Sequence, residues 1–246
     1  NTWKFAYGHP TDAVKDFNHG TSYFSFYAKA GYGDGPAAAQ FDDRAWRILD
    51  LPHDWVVEQP FDAKGSHSHG YKAVGRNFPD VSVGWYRKEF FVPESDLGQR
   101  ISITFEGVHR DSRVWVNGHY LGNEASGYNT FTYDITQYLN YGGNNTIAVR
   151  CDVTNEEGWY YEGAGIYRHV WLTKTAPVHV AQDGTFIYYS LNDNSAKANI
   201  ETIVQNNTYS PVTVKVKQQL KNAGGAVVAE IISDGVVIGN SGKAEI

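Results

Sequence analysis

The chain has 246 residues, of which 41% are hydrophobic, 20% charged and 15% aromatic, a composition typical of a globular protein with a sizeable core. Lysine and arginine number 21 against 27 aspartate and glutamate residues, so the net charge is −6. No basic run of the kind that marks a nucleic-acid binder is present. No stretch reaches the roughly 18 consecutive apolar residues of a membrane helix. We therefore expect neither nucleic-acid nor membrane binding.

Sulfur-containing residues are scarce in the sequence. It has no methionine, even at position 1, so we expect that Asn1 is not the natural first residue and that a leader was removed or the sequence is a piece of a longer chain. Its one cysteine, Cys151, cannot form an internal disulfide bond. In an alternating strand it shares a face with Ile147 and Val149, so we expect it to be buried.

Alternating hydrophobicity dominates from about residue 83 onward, and turn signals bound each segment, as in an all-β sandwich or barrel. The sequence predicts strands at residues 83–92, 100–108, 112–116, 119–122, 131–135, 145–153 and 166–175. Asn117-Gly118 is the strongest hairpin signal, because both central residues of that turn favour positive φ. This set of strands is enough for one sandwich domain.

The composition changes after residue 175, where aromatic residues become rare and Val, Thr, Lys and Asn take over. We place a domain boundary near residue 176. Further strands are predicted at residues 178–180, 185–191, 196–206, 212–221 and 226–237. The remaining 70 or so residues are too few for an immunoglobulin-like sandwich of about 100 residues. We therefore expect the sequence to stop inside its second domain.

The first candidate site is the segment Asp-Leu-Pro-His-Asp-Trp at residues 50–55. A histidine beside an aspartate can act as an acid/base pair, but His53 and Asp54 are adjacent and would point to opposite sides of an extended segment. The alternative is a loop anchor in which both side chains satisfy nearby backbone groups, the usual role of buried polar residues. We favour the loop anchor.

Histidines at positions 53, 67 and 69 raise the possibility of a metal site. No CxxC, HExxH or carboxylate spacing accompanies them, although such spacing is typical of zinc sites. We therefore favour a flexible polar loop for residues 66–70, and we expect no bound metal.

Residues 156–168 combine aromatic rings, carboxylates and glycines. Carbohydrate sites use such groups to stack on sugar rings and to bind hydroxyl groups. Glu157 and Glu162 could form a glycosidase pair, but both lie in one short loop, whereas such a pair must flank the scissile bond. We favour a loop that lines a site formed mostly elsewhere. Gly163 and Gly165 lack the strand-then-helix context of a dinucleotide site.

Six stretches occur in a characteristic order: LDLPHDW (49–55), GYKAVGRNFP (70–79), VGWYRKEF (83–90), FEGVHRDSRVWVNGHYLG (105–122), GYNTFTYDIT (127–136) and EGWYYEGAGIYRHVWL (157–172). Together they resemble the N-terminal sugar-binding domain of glycoside hydrolase family 2, in its β-galactosidase branch. The resemblance covers residues 1–175. The first stretch favours a β-galactosidase over the two alternatives, a β-glucuronidase or a β-mannosidase.

The resemblance implies a retaining glycosidase built from a jelly-roll sandwich, an immunoglobulin-like sandwich and a (β/α)8 barrel that carries two catalytic glutamates. We therefore expect a jelly roll over residues 1–176 and a truncated immunoglobulin-like domain over residues 177–246. The barrel would be absent, so this chain would hold no catalytic residue and no cofactor. Its expected role is a non-catalytic part of an enzyme that hydrolyses terminal β-D-galactosides.

The resemblance also implies that loops of the first domain line the sugar pocket. The residues that we expect there are His53, Asp54, Arg76, Trp159, Tyr160 and Glu162. Strand alternation predicts inward-facing core positions at Trp85, Phe90, Phe105, Trp115, Val116 and Trp171.

The expected partners are a β-galactoside or oligosaccharide substrate and the (β/α)8 catalytic domain of the same chain, with a homo-oligomer as a further possibility. Family 2 enzymes of this type are often exported, so we expect a periplasmic or extracellular location in a bacterium, with the cytoplasm as the alternative. Two other functions stay open: a free-standing carbohydrate-binding module, and a scaffold or oligomerisation domain.

Overall fold

The structure is a computed structural model that describes residues 2–20, 33–156, 158, 160–193 and 195–246. The chain divides into two compact units, Asn1–Leu97 with Ile101–Thr173 and Gly98–Arg100 with Lys174–Ile246. The division lies close to residue 176, where the sequence places the domain boundary. Among the described residues, no helix has the length and apolar character needed to cross a membrane.

The first nine strands form two sheets. They are β1 Trp3–Tyr7, β2 Arg47–Leu49, β3 Val83–Val92, β4 Arg100–Phe105, β5 Ser112–Val116, β6 His119–Glu124, β7 Phe131–Asp134, β8 Gly143–Asp152 and β9 Val170–Thr175. The larger sheet is antiparallel with the order β2-β1-β3-β8-β5-β6, and the smaller sheet has the order β7-β4-β9. Short 3-10 helices occur at Gly35–Ala37, Pro79–Val81, Glu94–Asp96 and Thr136–Tyr138. The all-β prediction is confirmed.

The hairpin between β5 and β6 forms where the sequence predicts it. Asn117 and Gly118 have φ values of 50° and 80°, which suit the tight turn that joins two twisted antiparallel strands. Val116 pairs with His119 directly across this turn. The Asn117 side chain also donates a hydrogen bond to the Tyr138 carbonyl at 2.7 Å, which ties the turn to the loop that follows β7.

One face of the larger sheet packs against the smaller sheet to form the main core. Ile147, Val149 and Cys151 of β8 belong to this core, together with Phe105 of β4 and Val116 of β5. Cys151 is fully buried, which confirms the sequence prediction. Burial in this apolar environment raises the pKa of its thiol well above the ordinary value.

The opposite face of the larger sheet is buried as well. Trp85, Trp115 and Ala148 pack there with Ala37 and Trp46. The predicted burial of Trp85 and Trp115 is confirmed. The prediction that they share an inward face with Phe105 and Val116 is wrong. Both tryptophans lie on the second face, which the connection between β1 and β2 covers.

Buried ion pairs fasten this covering connection to the sheet. The Arg150 guanidinium donates to the Asp16 carboxylate over 3.0 Å, and both side chains are almost fully buried. Arg87 donates to the Asp43 carboxylate over 3.0 Å and to the Ala38 carbonyl at 2.9 Å. Because buried charges need such partners, the charged residues fix where the connection crosses the sheet.

Of the four other residues predicted to face the core, three are buried or partly buried and one is exposed. Phe105 and Val116 are fully buried, as predicted, and Phe90 is partly buried against the core. The prediction for Trp171 is wrong, because its side chain is 51% exposed. Val170 is the residue that packs against the core, and β9 is an edge strand, so alternation directs Trp171 outward.

The remaining strands belong to the second unit. They are β10 Val178–Asn192, β11 Ser195–Asn206, β12 Val212–Val214, β13 Lys217–Lys221, β14 Val227–Ile232, β15 Val236–Ile238 and β16 Lys243–Glu245. Their sheets have the orders β10-β11-β16, β12-β15 and β13-β14. The two segments predicted at 178–180 and 185–191 form one strand, β10, whose register shifts between Val180 and Thr185. Each of the last two predicted segments is divided into two shorter strands.

Candidate functional site

Two loops of the first unit meet through backbone hydrogen bonds. The His53 N–H donates to the Ile166 carbonyl at 2.8 Å, and the Trp55 N–H donates to the Ala164 carbonyl at 3.1 Å. The 50–55 segment, which precedes β3, therefore lies alongside the glycine-rich loop that precedes β9. The sequence singled out these two segments separately, and the structure brings them together. We call residues 53–55 the first loop and residues 158 and 160–166 the second loop, and the two together the loop site.

Gly165 lies at the centre of this pairing. Its φ is +108°, and an added Cβ would overlap the Tyr86 hydroxyl and approach the His53 carbonyl oxygen to 2.9 Å. On its other side, Gly165 exchanges two backbone hydrogen bonds with His109, at 2.6 and 2.9 Å. Position 165 therefore requires glycine both for its backbone conformation and for the close approach of its neighbours.

The Asp54 carboxylate links the two loops. Its Oδ1 accepts hydrogen bonds from the Val56 and Ala164 backbone N–H groups, each at 2.9 Å. Its Oδ2 accepts a hydrogen bond from the Tyr161 hydroxyl at 3.3 Å. Partial burial and the nearby Asp54 charge raise the pKa of Tyr161 to about 12, so this phenol stays protonated at neutral pH.

His53 is a buried connection between the first loop and the sheet. Its Nδ1 lies 2.7 Å from the Tyr86 hydroxyl, and its Nε2 lies 3.0 Å from Arg47 and 3.2 Å from Glu58. Burial lowers the pKa of His53, and the hydrogen bond to Glu58 opposes this effect. Its partners differ from those of Asp54, as expected for adjacent residues on an extended segment. This geometry favours a loop anchor over an acid/base pair.

Glu162 connects the second loop by hydrogen bonds to the segment that contains His69. The Glu162 N–H donates to the Ser68 carbonyl at 2.7 Å, and the His69 ring donates from Nδ1 to the Glu162 carbonyl at 2.8 Å. The Glu162 carboxylate accepts a hydrogen bond from the Gly158 N–H at 2.7 Å. Only 1% of the Glu162 surface is exposed. In this arrangement the buried carboxylate holds the second loop in place.

His69 was expected in a flexible polar loop, and the structure instead places its ring in the interior. The ring is fully buried and bonded to the second loop, whereas His67 makes an edge contact with Tyr71 at 5.9 Å between ring centroids. No three His, Cys, Asp or Glu side chains in the described part of the chain are grouped to hold a metal ion.

Three polar residues meet beside the second loop. The Arg76 Nε donates to the Asn155 side-chain oxygen at 3.0 Å, and Arg110 donates to the Asn155 backbone carbonyl at 2.9 Å. Tyr160 is 73% exposed, and Tyr161 is also exposed. Exposed arginine and tyrosine side chains can donate hydrogen bonds to sugar hydroxyls, and the phenol rings can stack on a sugar face.

The expected pocket residues therefore fall into three groups. Arg76 and Tyr160 are exposed, and Asp54 is partly exposed, whereas His53 and Glu162 are buried. Trp159, and with it Glu157, lies outside the described residues. Sequence reasoning missed Tyr161 and His69, although Tyr161 lies inside the aromatic stretch that it singled out.

Comparison with known proteins identifies the family to which this chain belongs. Residues 72–176 match the model of the family described as glycosyl hydrolases family 2, sugar binding domain. The chain is 42% identical over 207 residues to the β-galactosidase BoGH2A of Bacteroides ovatus, an alignment that covers 82% of this chain and 24% of that protein. The chain belongs to glycosyl hydrolase family 2.

Two further relatives agree with this assignment. A β-glucuronidase of Formosa agariphila is 31% identical to this chain over 211 residues, which cover 77% of this chain and 21% of that protein. A glycosyl hydrolase family 2 member from Bacteroides cellulosilyticus superposes over 100% of this chain and 29% of its own, with a TM-score of 0.82 and 27% identity. The chain thus spans about a quarter of the length of the relatives it matches. Arg76 and the second loop lie inside the region that matches the sugar-binding family, whereas His53 and Asp54 precede it.

Proposed function

We propose that this chain is the non-catalytic N-terminal part of a β-galactosidase that hydrolyses terminal β-D-galactosides with retention. The observation that carries the proposal is the 42% identity to a β-galactosidase over 82% of the chain. In the proposed enzyme both catalytic carboxyl groups lie in a (β/α)8 domain of the same polypeptide. One protonates the leaving oxygen while the other attacks the anomeric carbon.

The loop site would border the sugar pocket of this enzyme. Arg76, Tyr160 and Asp54 are accessible, so they would contact sugar hydroxyls or the ring face. His53 and Glu162 are buried and would act as positioning residues, because their hydrogen bonds hold the two loops in register. A pocket edge held in this way loses little conformational freedom when a sugar binds.

A β-glucuronidase is the second candidate. The relative from Formosa agariphila, a β-glucuronidase, is 31% identical over 77% of this chain. Arg76 also suits this candidate, because a guanidinium group can bind a uronate carboxylate through two parallel hydrogen bonds. The two substrates differ at C6, where only the glucuronide has a carboxylate, and in the configuration at C4, so substrate choice distinguishes the candidates directly.

The test is hydrolysis of p-nitrophenyl β-galactoside and p-nitrophenyl β-glucuronide by this chain alone and by the full-length product of its gene. We expect release of p-nitrophenol from the galactoside by the full-length protein only. Release from the glucuronide alone would favour the second candidate. Hydrolysis by the 246-residue chain would overturn the non-catalytic assignment and direct attention to Glu157 and Glu162.

Substitution of Arg76 tests the role of the loop site in the full-length enzyme. We expect Arg76→Ala to raise KM for the galactoside with little change in kcat, because a residue at the pocket edge contributes to substrate binding in both the ground state and the transition state. Arg44→Ala is the matched control, since Arg44 is an exposed arginine that forms a surface ion pair with its neighbour Asp42. Equal KM values for both variants would show that Arg76 does not contribute to substrate binding.

A further inference from the structure

An exposed pair of aromatic rings lies at the edge of the smaller sheet. Trp171 is 51% exposed, and its ring stacks on that of His169 with 5.3 Å between centroids and 28° between planes. Tryptophan is usually largely buried, because exposure of its large apolar surface to water is unfavourable. An exposed tryptophan that is also held in a fixed geometry suggests a ligand.

Glu106 fixes both rings. Its Oε1 accepts a hydrogen bond from the Trp171 indole at 2.8 Å, and its Oε2 lies 3.1 Å from Nδ1 of His169. The backbone also contributes, because the Glu106 N–H donates to the His169 carbonyl at 3.1 Å. These contacts restrict the side-chain rotation of both rings before any ligand arrives, so binding would cost little conformational entropy.

The face of the smaller sheet beside these rings is polar. Ser102 pairs with Asp134, and Thr104 pairs with Thr132, between β4 and β7. These four residues alternate with residues of the main core, so their side chains lie on the outer face. Thr132 and Asp134 are exposed there, whereas Thr104 is buried and its hydroxyl lies 2.8 Å from that of Thr132, within hydrogen-bonding distance. Hydroxyl and carboxylate groups around an aromatic surface suit a ligand that combines an apolar face with a rim of hydroxyl groups.

We propose that Glu106, His169 and Trp171 form a second carbohydrate-binding site, the Trp171 platform. Its ligand is the apolar face of a β-linked hexopyranose within an oligosaccharide or polysaccharide. Glu106 directly follows β4, His169 directly precedes β9, and Trp171 lies on β9. The platform includes none of the residues of the loop site. It would hold a polymeric glycan near the enzyme, whereas the loop site would border the pocket for the terminal sugar.

The polar surroundings favour a sugar over a protein partner at the platform. The centre of a stable protein interface is depleted of charged residues. Here the carboxylate of Glu106 lies beside the rings, and the outer face carries threonine, serine and aspartate. Stacking of a sugar ring on tryptophan leaves the hydroxyl groups at the sugar's edge free to meet such polar groups.

Affinity electrophoresis of the 246-residue chain tests the proposal. Native gels that contain soluble xyloglucan or β-1,4-galactan are compared with gels that contain no polysaccharide. We expect at least one polysaccharide to retard the wild-type chain, and Trp171→Ala to weaken that binding by about tenfold or more. Leu172→Ala is the matched control, because Leu172 is exposed on the same strand and alternates to the opposite face.

Two more variants test whether binding depends on the aromatic ring at position 171 or on the loop site. Trp171→Phe retains an aromatic face and should bind more strongly than Trp171→Ala. Tyr160→Ala removes an exposed ring of the loop site and shows whether the retardation depends on that site instead. Urea midpoints establish that each variant is folded, and Glu106→Gln serves as the test variant if Trp171→Ala is unfolded.

Two outcomes would overturn the Trp171 platform. The first is a wild-type chain that neither polysaccharide retards, because the rings would then serve another purpose, such as contact with a neighbouring domain. The second is loss of retardation in Tyr160→Ala but not in Trp171→Ala, which would place glycan binding at the loop site. Neither outcome bears on hydrolysis by the full-length enzyme, so this proposal and the proposed function fail independently.

Discussion

The outer faces of the two sheets contain tryptophans with the same hydrogen bond and opposite exposure. The Trp85 indole donates to the Asp16 carboxylate at 2.8 Å, and the Trp171 indole donates to the Glu106 carboxylate at 2.8 Å. Trp85 is fully buried, whereas Trp171 is 51% exposed. A satisfied indole N–H therefore does not show whether a ring belongs to the core.

The difference comes from the chain that covers each face. On the covered face of the larger sheet, the Asp16 carboxylate accepts hydrogen bonds from two donors. One is the Trp85 indole, and the other is the guanidinium of the buried Arg150, at 3.0 Å. On the smaller sheet the carboxylate of Glu106 is shared with an exposed histidine, His169. A buried ion pair holds a covering segment in the first case, and the rings stay at the surface in the second.

Alanine at each tryptophan gives the largest expected contrast. Trp85→Ala should lower the free energy of unfolding by about 3–5 kcal/mol, because it leaves a cavity between the sheet and its cover and removes a donor from Asp16. Trp171→Ala should lower it by less than about 1 kcal/mol, since the ring is already half exposed. Urea unfolding followed by circular dichroism measures both. Similar losses in the two variants would contradict the comparison.

Removal of Arg150 tests whether the covering connection depends on its buried ion pair. Arg150→Ala should destabilise the protein by about 3 kcal/mol, because Asp16 would remain buried without its cation. Arg44→Ala is the control: its pair with Asp42 lies at the surface, so we expect no resolvable change in the urea midpoint. If both variants unfold at the wild-type midpoint, the ion pair does not hold the connection.

The strand pattern of the first unit could be predicted because alternation and turn chemistry are local. Asn117 and Gly118 specified their hairpin by φ preference alone, and Cys151 was placed with Ile147 and Val149 by period two. Alternation does not reveal what covers a face. Alternation therefore puts Trp85 and Trp115 on the wrong side of the sheet, and it predicts that Trp171 belongs to a core that it does not enter.

The loop site could be predicted only as two separate segments. The sequence marked His53 and Asp54 in one segment and Tyr160 and Glu162 in another, but their pairing depends on backbone contacts between residues more than 100 positions apart, such as the Asp54 bond to Ala164. Long-range backbone pairing leaves no periodic signal in either segment. The burial of Glu162 was missed for the same reason, because its partners include Ser68 in a third segment.

Protonation of Glu106 should have the smallest effect on stability, and it can be followed through the fluorescence of the exposed Trp171. Hydrogen bonds from Trp171 and then His169 lower the pKa of Glu106 in the folded state. A carboxyl group with a lowered folded-state pKa stabilises the fold above its ordinary pKa of about 4.3, and that contribution is lost as the pH falls through the folded value. We therefore expect the fluorescence of Trp171, taken as the difference between wild type and Trp171→Phe, to change in a step below pH of about 4.3. Glu106→Gln has no carboxyl group to titrate, so the same difference, measured in its background, should show no such step. An unchanged step in that background would mean that another group holds the ring.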